Sequence, residues 1–389
     1  MKLGELPRKR HTRFDIEGSP IYEELFSREG VTGPSSLLYH RHMPEGVQDV
    51  VEGDADDIRM EDEKVHVHAL LQGFRLPSHG DAITGRQWLL VNEDIRIGLL
   101  IPQQQQTALF VDGSADDVLF VHSGSGTLQT QFGRLRFDHH DYLVIPRGTV
   151  YRVEFDRLED TRVLVMEVAG PVDAPKGYMA ASGQLTELAP YSERDFRGPE
   201  ALEQGEGASQ VWLKRAGRIS YYSLDHHPFD VVGWDGTVYP VAFNIHDFEA
   251  RAGRFHVPAT VHQTFQAPHS VICSLVPRKL SWDPDAVALP YHRSNLDRDS
   301  VLYHVAGTFA PRRGIQQGSL THHVSGLVYG PQPGALEASF DHAPETDELA
   351  VMIEAEHPLH RTQVARQIVD AAYPFSWRGD GGRGQGSKR

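Results

Sequence analysis

The chain of 389 residues lacks both pairs of cysteines for disulfide bonds and long apolar runs for membrane helices. It has a single cysteine, Cys273, so no disulfide bond can form within it. Cys273 lies in the apolar run 270–276 and is expected to be a small buried group rather than a nucleophile. No run approaches the roughly 18 apolar residues that a membrane helix requires, and residues 1–14 are charged rather than apolar. We therefore expect a soluble, cytoplasmic protein without a membrane partner.

Positive charge is also scarce. The 38 Lys and Arg residues are outnumbered by 53 Asp and Glu residues, which leaves a formal net charge of −15. Nucleic acids and anionic membranes attract proteins through surfaces rich in Lys and Arg, so neither is expected as a partner. The exception is the basic cluster PRKRHTRF at residues 7–14. We expect this cluster to pack on the chain's own acidic surface or on a neighbouring subunit.

Helical periodicity is almost confined to residues 361–372. Elsewhere, short apolar stretches such as 88–91 and 95–101 alternate with polar turns, and the chain contains 36 Gly and 24 Pro. Short strands separated by turn residues are typical of all-β proteins. The sequence therefore predicts an all-β (mainly β) fold with a few short helices.

A motif in the first half indicates the kind of β fold. Residues 141–151, DYLVIPRGTVY, follow the pattern D-x-x-x-x-P-x-G-x-x-H of the cupin β-barrel, with Tyr151 in place of the histidine. The preceding strand–turn–strand segment, 117–128, lacks the His-x-His pair of cupins that bind metal. The likeness predicts a barrel in this half that carries no metal, and it says little about chemistry.

Two strand-rich halves predict two related barrels, that is, a bicupin. The predicted division of the chain is an N-terminal arm with loops at 1–64, an N-terminal cupin barrel at 65–170, a linker at 171–220, a C-terminal cupin barrel with the active pocket at 221–375, and a disordered tail at 376–389. The tail is assigned from its Gly- and Arg-rich composition.

The stretch from residue 290 to residue 337 is the best candidate for chemistry. It contains four histidines, namely His292, His304, His322 and His323. Alternating apolar residues on either side predict short strands, which would bring imidazoles and carboxylates to one point at a barrel mouth. Such a set suits a metal or an acid/base site. The alternative is that these histidines are structural or lie on the surface.

Several motifs carry a resemblance to a known family. They are PRKRHT at 7–12, YEEL at 22–25, SLLYHRH at 36–42, PFDVVGWDG at 228–236 and GPQPG at 330–334. Together they resemble homogentisate 1,2-dioxygenases, closest to the shorter bacterial members, over about residues 5 to 375. The resemblance implies a bicupin with a non-haem Fe(II) in the C-terminal barrel, hexameric assembly and cleavage of homogentisate to maleylacetoacetate.

The same resemblance implies where the iron ligands would lie. That family binds iron through two histidines and one glutamate, which leaves positions open for oxygen and substrate. The first histidine matches Arg293, three residues past Pro290, and the glutamate matches Ser300. The second histidine directly precedes GPQPG and matches Tyr329. All three positions are thus predicted to be replaced, and the expected cofactor is none.

The resemblance also implies which catalytic groups remain. The family's catalytic histidine matches His256, and a second pocket histidine matches His323, six residues before Tyr329. We predict His256, His323 and Tyr329 as groups that move protons. We predict Arg293 as the group that binds an acidic substrate, together with the substrate-binding residues Tyr303 and His292.

Three hypotheses about function follow. The first is a metal-independent enzyme that performs acid/base chemistry on an aromatic or quinone-like small molecule, in secondary metabolism. The second is an Fe(II)-dependent ring-cleaving dioxygenase whose iron is held by a shifted set of ligands drawn from His292, Asp297 or Asp299, His322 and His323. The third is a cupin that binds a small molecule without catalysis. Each hypothesis includes a homo-oligomer, a trimer or a hexamer.

Overall fold

A computed structural model describes residues 1–287, 289–308, 314–339 and 345–378, with Ala338 described by its backbone only. The first strands are β1 (Lys2–Gly4), β2 (Asp15–Ile16), β3 (Ser19–Pro20), β4 (Tyr22–Ser27), β5 (Ser35–His40), β6 (Val47–Ala55), β7 (Ala69–Leu71), β8 (Arg86–Val91), β9 (Ile95–Leu100), β10 (Leu109–Asp112), β11 (Asp116–Ser123), β12 (Gly126–Thr130), β13 (Gly133–Phe137), β14 (Asp141–Ile145), β15 (Tyr151–Phe155) and β16 (Arg162–Val168). The later strands are β17 (Phe196–Arg197), β18 (Ser209–Arg215), β19 (Arg218–Leu224), β20 (Val231–Gly236), β21 (Val241–Asn244), β22 (Gln263–Ala267), β23 (Ser270–Leu275), β24 (Arg278–Lys279), β25 (Arg293–Ser294), β26 (Asp299–Ala306), β27 (Leu320–His323), β28 (Val328–Tyr329), β29 (Glu345–Thr346), β30 (Leu349–Ala355) and β31 (His360–Arg361).

Helices are few and short, as the sequence predicted. In the described residues the α-helices are α1 (Ala335–Ser339) and α2 (Gln363–Ile368), and the 3-10 turns are Gly73–Arg75, Lys176–Tyr178, Glu193–Asp195, Ile245–Asp247, Ala259–His262 and Tyr373–Phe375. No helix of the described chain is long and apolar enough to cross a membrane. The prediction of a mainly β fold is confirmed.

Three large sheets form successive layers. The outer sheet has the strand order β13-β12-β15-β10-β18-β19-β6, the central sheet has the order β17-β21-β14-β11-β16-β9-β8-β31, and the C-terminal sheet has the order β22-β23-β30-β26-β27-β7. Both faces of the central sheet are covered, which explains why β11 is apolar along Val118–Val121 instead of alternating.

The N-terminal barrel lies between the outer and central sheets. Leu128 and Val153 of the outer sheet share a buried cluster with Leu119 and Val165 of the central sheet. The opposite face of the central sheet packs on the C-terminal sheet through residues such as Phe120, Leu164, Tyr303 and Ile353. The central sheet therefore belongs to the cores on both of its sides.

The C-terminal barrel is built on the far face of the C-terminal sheet. Its apolar part comprises Val271, Cys273, Leu302, Ala350 and Met352. The short ladders β24–β29 and β25–β28 complete this half. Cys273 is buried, as predicted, and burial raises the pKa of its thiol. The predicted bicupin is confirmed.

The strand pairings cross the predicted domain boundaries. β18 and β19 fall within or beside the predicted linker, yet β18 pairs in parallel with β10 of the N-terminal barrel. β6, from the predicted N-terminal arm, pairs with β19. β21, from the predicted C-terminal barrel, pairs with β14 of the central sheet. Such long-range pairings leave no local mark in the sequence. The domain boundaries themselves stay a prediction.

The first strand and the last described residues pack on the rest of the protein. β1 pairs with β20, and within the basic cluster Arg13 donates a hydrogen bond to Asp15 over 2.6 Å. At the other end, the indole of Trp377 donates a hydrogen bond to the carbonyl of Gly330 over 3.0 Å. Trp377 lies within the predicted tail, residues 376–389, and the assignment of that tail stays a prediction. Residues 379–389 lie outside the described residues.

Candidate functional site

The three positions that match the family's iron ligands come together in the C-terminal barrel. β25 and β28 are antiparallel, with Arg293 directly opposite Tyr329. The Nε of Arg293 donates a hydrogen bond to the phenol oxygen of Tyr329 over 2.6 Å, and this phenol donates to the Oγ of Ser300 over 3.3 Å. The positions therefore form one hydrogen-bonded chain of guanidinium, phenol and hydroxyl.

Strand alternation explains why Ser300 reaches this chain. Successive side chains of a strand point to opposite faces. In β26, Val301 and Tyr303 belong to the core beneath the central sheet, whereas Leu302 belongs to the apolar part of the C-terminal barrel. Ser300 shares the face of Leu302, and Asn295 also donates to its Oγ over 3.4 Å.

Arg293 supplies a permanent positive charge at the edge of this barrel. Its guanidinium lies 5.2 Å from the centre of the Tyr329 ring and 3.6 Å from a carboxylate oxygen of Glu354. The Nη2 of Arg293 also lies 3.8 Å from the sulfur of Met352. The Arg293 side chain remains 31% exposed, so its charge is accessible to an anion from solvent.

On the buried side, His323 stacks on Tyr329. The ring centres are 4.1 Å apart with an interplanar angle of 3°, and His323 is only 2% exposed. Its Nε2 lies 3.1 Å from the phenol oxygen of Tyr373. His68 meets the edges of both His323 and Tyr329, and Trp377 packs on His68. Tyr373, Trp377 and His68 were missed by sequence reasoning, and only their aromatic character near predicted loops hinted at a role.

His256 and His292 lie at the exposed margin of this region. The ring of His256 is 5.3 Å from that of Tyr291, on the loop before the turn Ala259–His262. His292 packs closely on Gly330: a side chain at position 330 would place its Cβ 2.5 Å from the Nδ1 of His292. Both histidines are exposed. The structure therefore places them near the strand of Arg293 rather than within the hydrogen-bonded chain.

Tyr303 is not brought to the site. It is fully buried, and its phenol oxygen lies 2.9 Å from the Nδ1 of His122 in the central sheet. Its side chain points to the opposite face of β26 from Ser300. Proximity in sequence suggested a substrate contact, but strand alternation directs this residue into the core between two sheets.

The side chains at the three family positions do not fit Fe(II). Arginine remains positively charged at all accessible pH values and repels a cation. The serine hydroxyl is a neutral donor unlike the carboxylate that it replaces. The Tyr329 oxygen already accepts a hydrogen bond from Arg293.

The shifted ligand set does not converge either. Asp299 and His322 are hydrogen-bonded to each other over 2.9 Å, and Asp299 also accepts from the backbone nitrogens of Ser325 and Leu359 at 2.7 and 2.9 Å. They lie on the opposite face of the C-terminal sheet from His323. Across the described ranges, three or more potential ligands converge only at Asp112, Asp117 and Glu167 and at Asp94, His269 and His357, both outside this barrel.

In the N-terminal barrel, Tyr151 stands where metal-binding cupins have a histidine. Its phenol donates to Asp117 over 2.5 Å and accepts from Arg86 over 2.7 Å. Arg86 also contacts Glu167 at 2.7 Å, and Lys214 forms an ion pair with Glu167. The buried carboxylates therefore have resident cations as partners, which disfavours a further cation among them.

Asp112 is a further buried carboxyl group beside this network. Burial is the largest cause that raises its pKa, and the charge of Asp117 adds to it, so that the pKa rises to about 6. The carboxyl group also accepts hydrogen bonds from the backbone nitrogens of Ser114 and Ala115 at 2.7 and 2.9 Å. Those two bonds go to its Oδ1, whereas its Oδ2 is buried without a hydrogen bond and lies 3.5 Å from the Nζ of Lys214.

Comparison with known proteins connects this fold and site to a family. Residues 91–245 match the family described as homogentisate 1,2-dioxygenase N-terminal. A provisionally named dioxygenase of Saccharolobus solfataricus is 35% identical over 379 residues, 97% of this chain and 98% of that protein. The homogentisate 1,2-dioxygenase of Rhodopseudomonas palustris strain HaA2 is 23% identical over 300 residues, 72% of this chain.

The stacked sheets and the two barrels described above define the class as that of the two-barrel cupins. A cupin 2 conserved barrel domain protein from Leptotrichia buccalis superposes with a TM-score of 0.35 and 11% identity, over 76% of this chain and 99% of that one. The chain belongs to the homogentisate dioxygenase-like family, as the matched family over residues 91–245, the dioxygenase that is 35% identical and the related homogentisate 1,2-dioxygenases together show. The alignment spans 65% of the length of the Rhodopseudomonas enzyme.

Proposed function

We propose that this protein is a metal-independent enzyme of the homogentisate dioxygenase-like family that acts on an acidic aromatic molecule by proton transfer. The observation that supports this most directly is the 2.6 Å hydrogen bond between Arg293 and Tyr329 at positions that match two iron ligands. A cation and a hydroxyl replace groups that would bind a metal. The substrate class comes from the relatives named homogentisate 1,2-dioxygenase.

Arg293 is the proposed anchor for the substrate's carboxylate or phenolate. A guanidinium presents parallel N–H donors that suit a planar anion. Its ion pair with Glu354 is 3.6 Å long and partly exposed, so a substrate anion can compete for the same charge. Met352 and Tyr329 contact the guanidinium from the barrel side and would present an apolar surface to an aromatic ring.

Tyr329 and Ser300 are the proposed proton carriers. Because the Nε of Arg293 occupies one acceptor site of the Tyr329 oxygen, the phenol hydrogen points to Ser300. Two hydroxyls in series can pass a proton between the substrate and the barrel interior. His323, stacked on Tyr329 and hydrogen-bonded to Tyr373, is the second group that can hold a proton.

Homogentisate in deuterated water is the proposed probe. Tag-free, chelator-treated protein is mixed with homogentisate, and ring deuterium is followed by NMR while dissolved oxygen is recorded. We expect saturable binding and protein-dependent deuterium incorporation without oxygen uptake. Oxygen uptake that depends on added Fe(II) and is abolished by a chelator would instead establish an iron-dependent dioxygenase.

Burial favours a second candidate, a cupin that binds a small molecule without catalysis. Tyr329 is 4% exposed and His323 is 2% exposed, which suits a structural core as well as a proton relay. The same experiment separates the two functions. Saturable binding of homogentisate without deuterium incorporation would support the binder.

His256 and His292 enter the proposal only as groups at the margin of the site. The assignment of His256 as a catalytic base stays a prediction, since it lies on an exposed loop beside Tyr291. A role in secondary metabolism and assembly as a trimer or hexamer also stay predictions. Light scattering of the purified protein measures the assembly directly, and a monomer at high concentration would contradict it.

A further inference from the structure

A separate cluster of histidine and carboxylate side chains lies where the central sheet meets the C-terminal sheet. Asp94 is in the turn between β8 and β9, His269 is in the turn between β22 and β23, and His357 follows β30. One potential ligand atom of each lies within 4.8 Å of the other two. We propose that these three side chains bind a first-row divalent cation, with Zn(II) as the representative.

Hydrogen bonds to backbone groups hold the three turns together. The side chain of Asn92 donates to the carbonyl of His357 over 2.7 Å and accepts from the backbone nitrogen of Asp94 over 2.8 Å. The backbone nitrogen of Glu356 donates to the carbonyl of His269 over 3.0 Å. The positions of the three ligands are therefore set before any cation binds, which reduces the entropic cost of binding.

A second carboxylate orients His269. The Nδ1 of His269 lies 2.9 Å from one oxygen of Glu356, and the other oxygen accepts from Arg298 over 2.7 Å. Histidine ligands of metals commonly donate their second ring nitrogen to such a carboxylate. The Nε2 of His269 is thereby the nitrogen directed to the cation.

His357 and Asp94 form the other side of the site. The Nδ1 of His357 contacts Asp94 directly, and Glu93 lies 3.4 Å from the same nitrogen. A cation would take the place of the proton that His357 and Asp94 share. Asp94 is 11% exposed, whereas the side chains of His269 and His357 are 46% and 48% exposed. The imidazoles can therefore turn toward a metal at about 2.0–2.1 Å, and water can complete the coordination.

A cation at this position would link the central sheet to the C-terminal sheet. Asp94 lies in a turn of the central sheet, while His269 and His357 lie beside strands of the C-terminal sheet. A cation bound to all three would join the two halves and stabilise only the folded chain. Bound Zn(II) should then raise the Tm in proportion to the logarithm of its concentration above Kd. This site is independent of the proposed function of the Arg293 region.

Calorimetric titration of the tag-free, chelator-stripped protein with zinc chloride tests the site. We expect one zinc per chain and a higher Tm in thermal unfolding. His269→Gln and His357→Gln should each weaken binding by at least about 10-fold, and Asp94→Asn should do the same. His246→Gln is the matched control, because His246 forms another surface histidine pair, 2.8 Å from His140, and should leave zinc binding unchanged.

The absence of both binding heat and a Tm shift would overturn the proposal, as would unchanged affinity in His269→Gln and His357→Gln. Equal loss in His246→Gln would show adventitious binding to surface histidines. Equal Tm values of all variants in chelator establish that each is folded. Zinc that remains in the Arg293→Gln variant but leaves the His357→Gln variant would separate this site from any metal in the C-terminal barrel.

Discussion

His322 and His323 are neighbours in β27, yet they face opposite sides of the C-terminal sheet. His322 is paired with Asp299 over 2.9 Å, on the face that packs toward the central sheet. His323 stacks on Tyr329 at 4.1 Å inside the C-terminal barrel. Two identical side chains in consecutive positions are therefore assigned to a structural pair and to the candidate site.

Removal of His322 should destabilise the protein strongly. His322→Ala leaves Asp299 as a buried, partly unpaired carboxylate, which is expected to lower the free energy of unfolding by about 3–5 kcal/mol. In the presence of a chelator, His269→Ala removes only a half-exposed histidine paired with Glu356 and should cost less than about 1 kcal/mol. Urea unfolding measures both, and similar values for the two would contradict the structural role of His322.

The same pair predicts acid sensitivity. Burial would raise the pKa of Asp299, but the hydrogen bond and charge of His322, together with the backbone hydrogen bonds from Leu359 and Ser325, outweigh burial and hold the pKa below its ordinary value. A lowered carboxyl pKa contributes stability above the unfolded value of about 3.9, and that stability is lost as the pH falls through the folded value. Asp299→Asn should flatten the decline in unfolding free energy below about pH 4. An unchanged acid profile would refute this.

Removal of the Tyr329 hydroxyl tests the proton relay. Tyr329→Phe keeps the ring that stacks on His323, so stability should fall by only about 1 kcal/mol. Deuterium incorporation into homogentisate should fall by about 10²–10⁴-fold. Tyr303→Phe is the control, because its hydroxyl contacts His122 on the opposite face of β26. If both variants exchange deuterium at the wild-type rate, Tyr329 does not carry the proton.

Arg293 should control affinity more than rate. Arg293→Gln removes the charge that anchors the anion, and the dissociation constant for homogentisate should rise by roughly 10-fold or more, as for a lost hydrogen bond to a charged group. Arg298→Gln is the matched control. The Arg298 side chain is 30% exposed and that of Arg293 is 31% exposed, but Arg298 pairs with Glu356 away from the barrel interior. Titration calorimetry compares the two. Equal loss in both would point to a general charge effect.

His40 predicts a stability change at alkaline pH. Burial lowers its pKa, but hydrogen bonds to Asp230 and Glu24 outweigh burial and raise the pKa to about 9. Both ring nitrogens face carboxylates, at 2.7 and 2.9 Å, so the imidazolium is the favoured form. Its contribution is present in full below the unfolded pKa of about 6.5 and is lost as the pH rises through the folded value.

The measurement is the free energy of unfolding across that window. Wild-type protein should lose on the order of 2–3 kcal/mol between about pH 6.5 and pH 9 from this group. His40→Gln should be less stable at neutral pH and should show a flatter profile. His42→Gln serves as the control. The His42 side chain is 56% exposed and pairs with Asp230, whereas His40 pairs with both Asp230 and Glu24. A profile unchanged by His40→Gln would contradict the assignment.

The sequence by itself determined the fold class and the family. Alternation of apolar and polar residues is a local property of strands, so the mainly β fold could be predicted without long-range information. Motifs such as PFDVVGWDG and GPQPG are contiguous, and they predicted the family that the matched family and the relatives together confirm. Counting from Pro290 selected Arg293 and Ser300, and GPQPG selected Tyr329; the structure then brings the three together.

Tertiary structure decided which face each of these strands presents. Asp299 and Ser300, like His322 and His323, differ by one position, and only the packing of the central sheet on one side determines which of each pair enters the barrel. Tyr303 lies on the other face for the same reason. Pairings that join distant parts of the chain, such as β10 with β18 and Trp377 with Gly330, carry no local signal. They depend on how sheets stack, which a sequence pattern of short range does not encode.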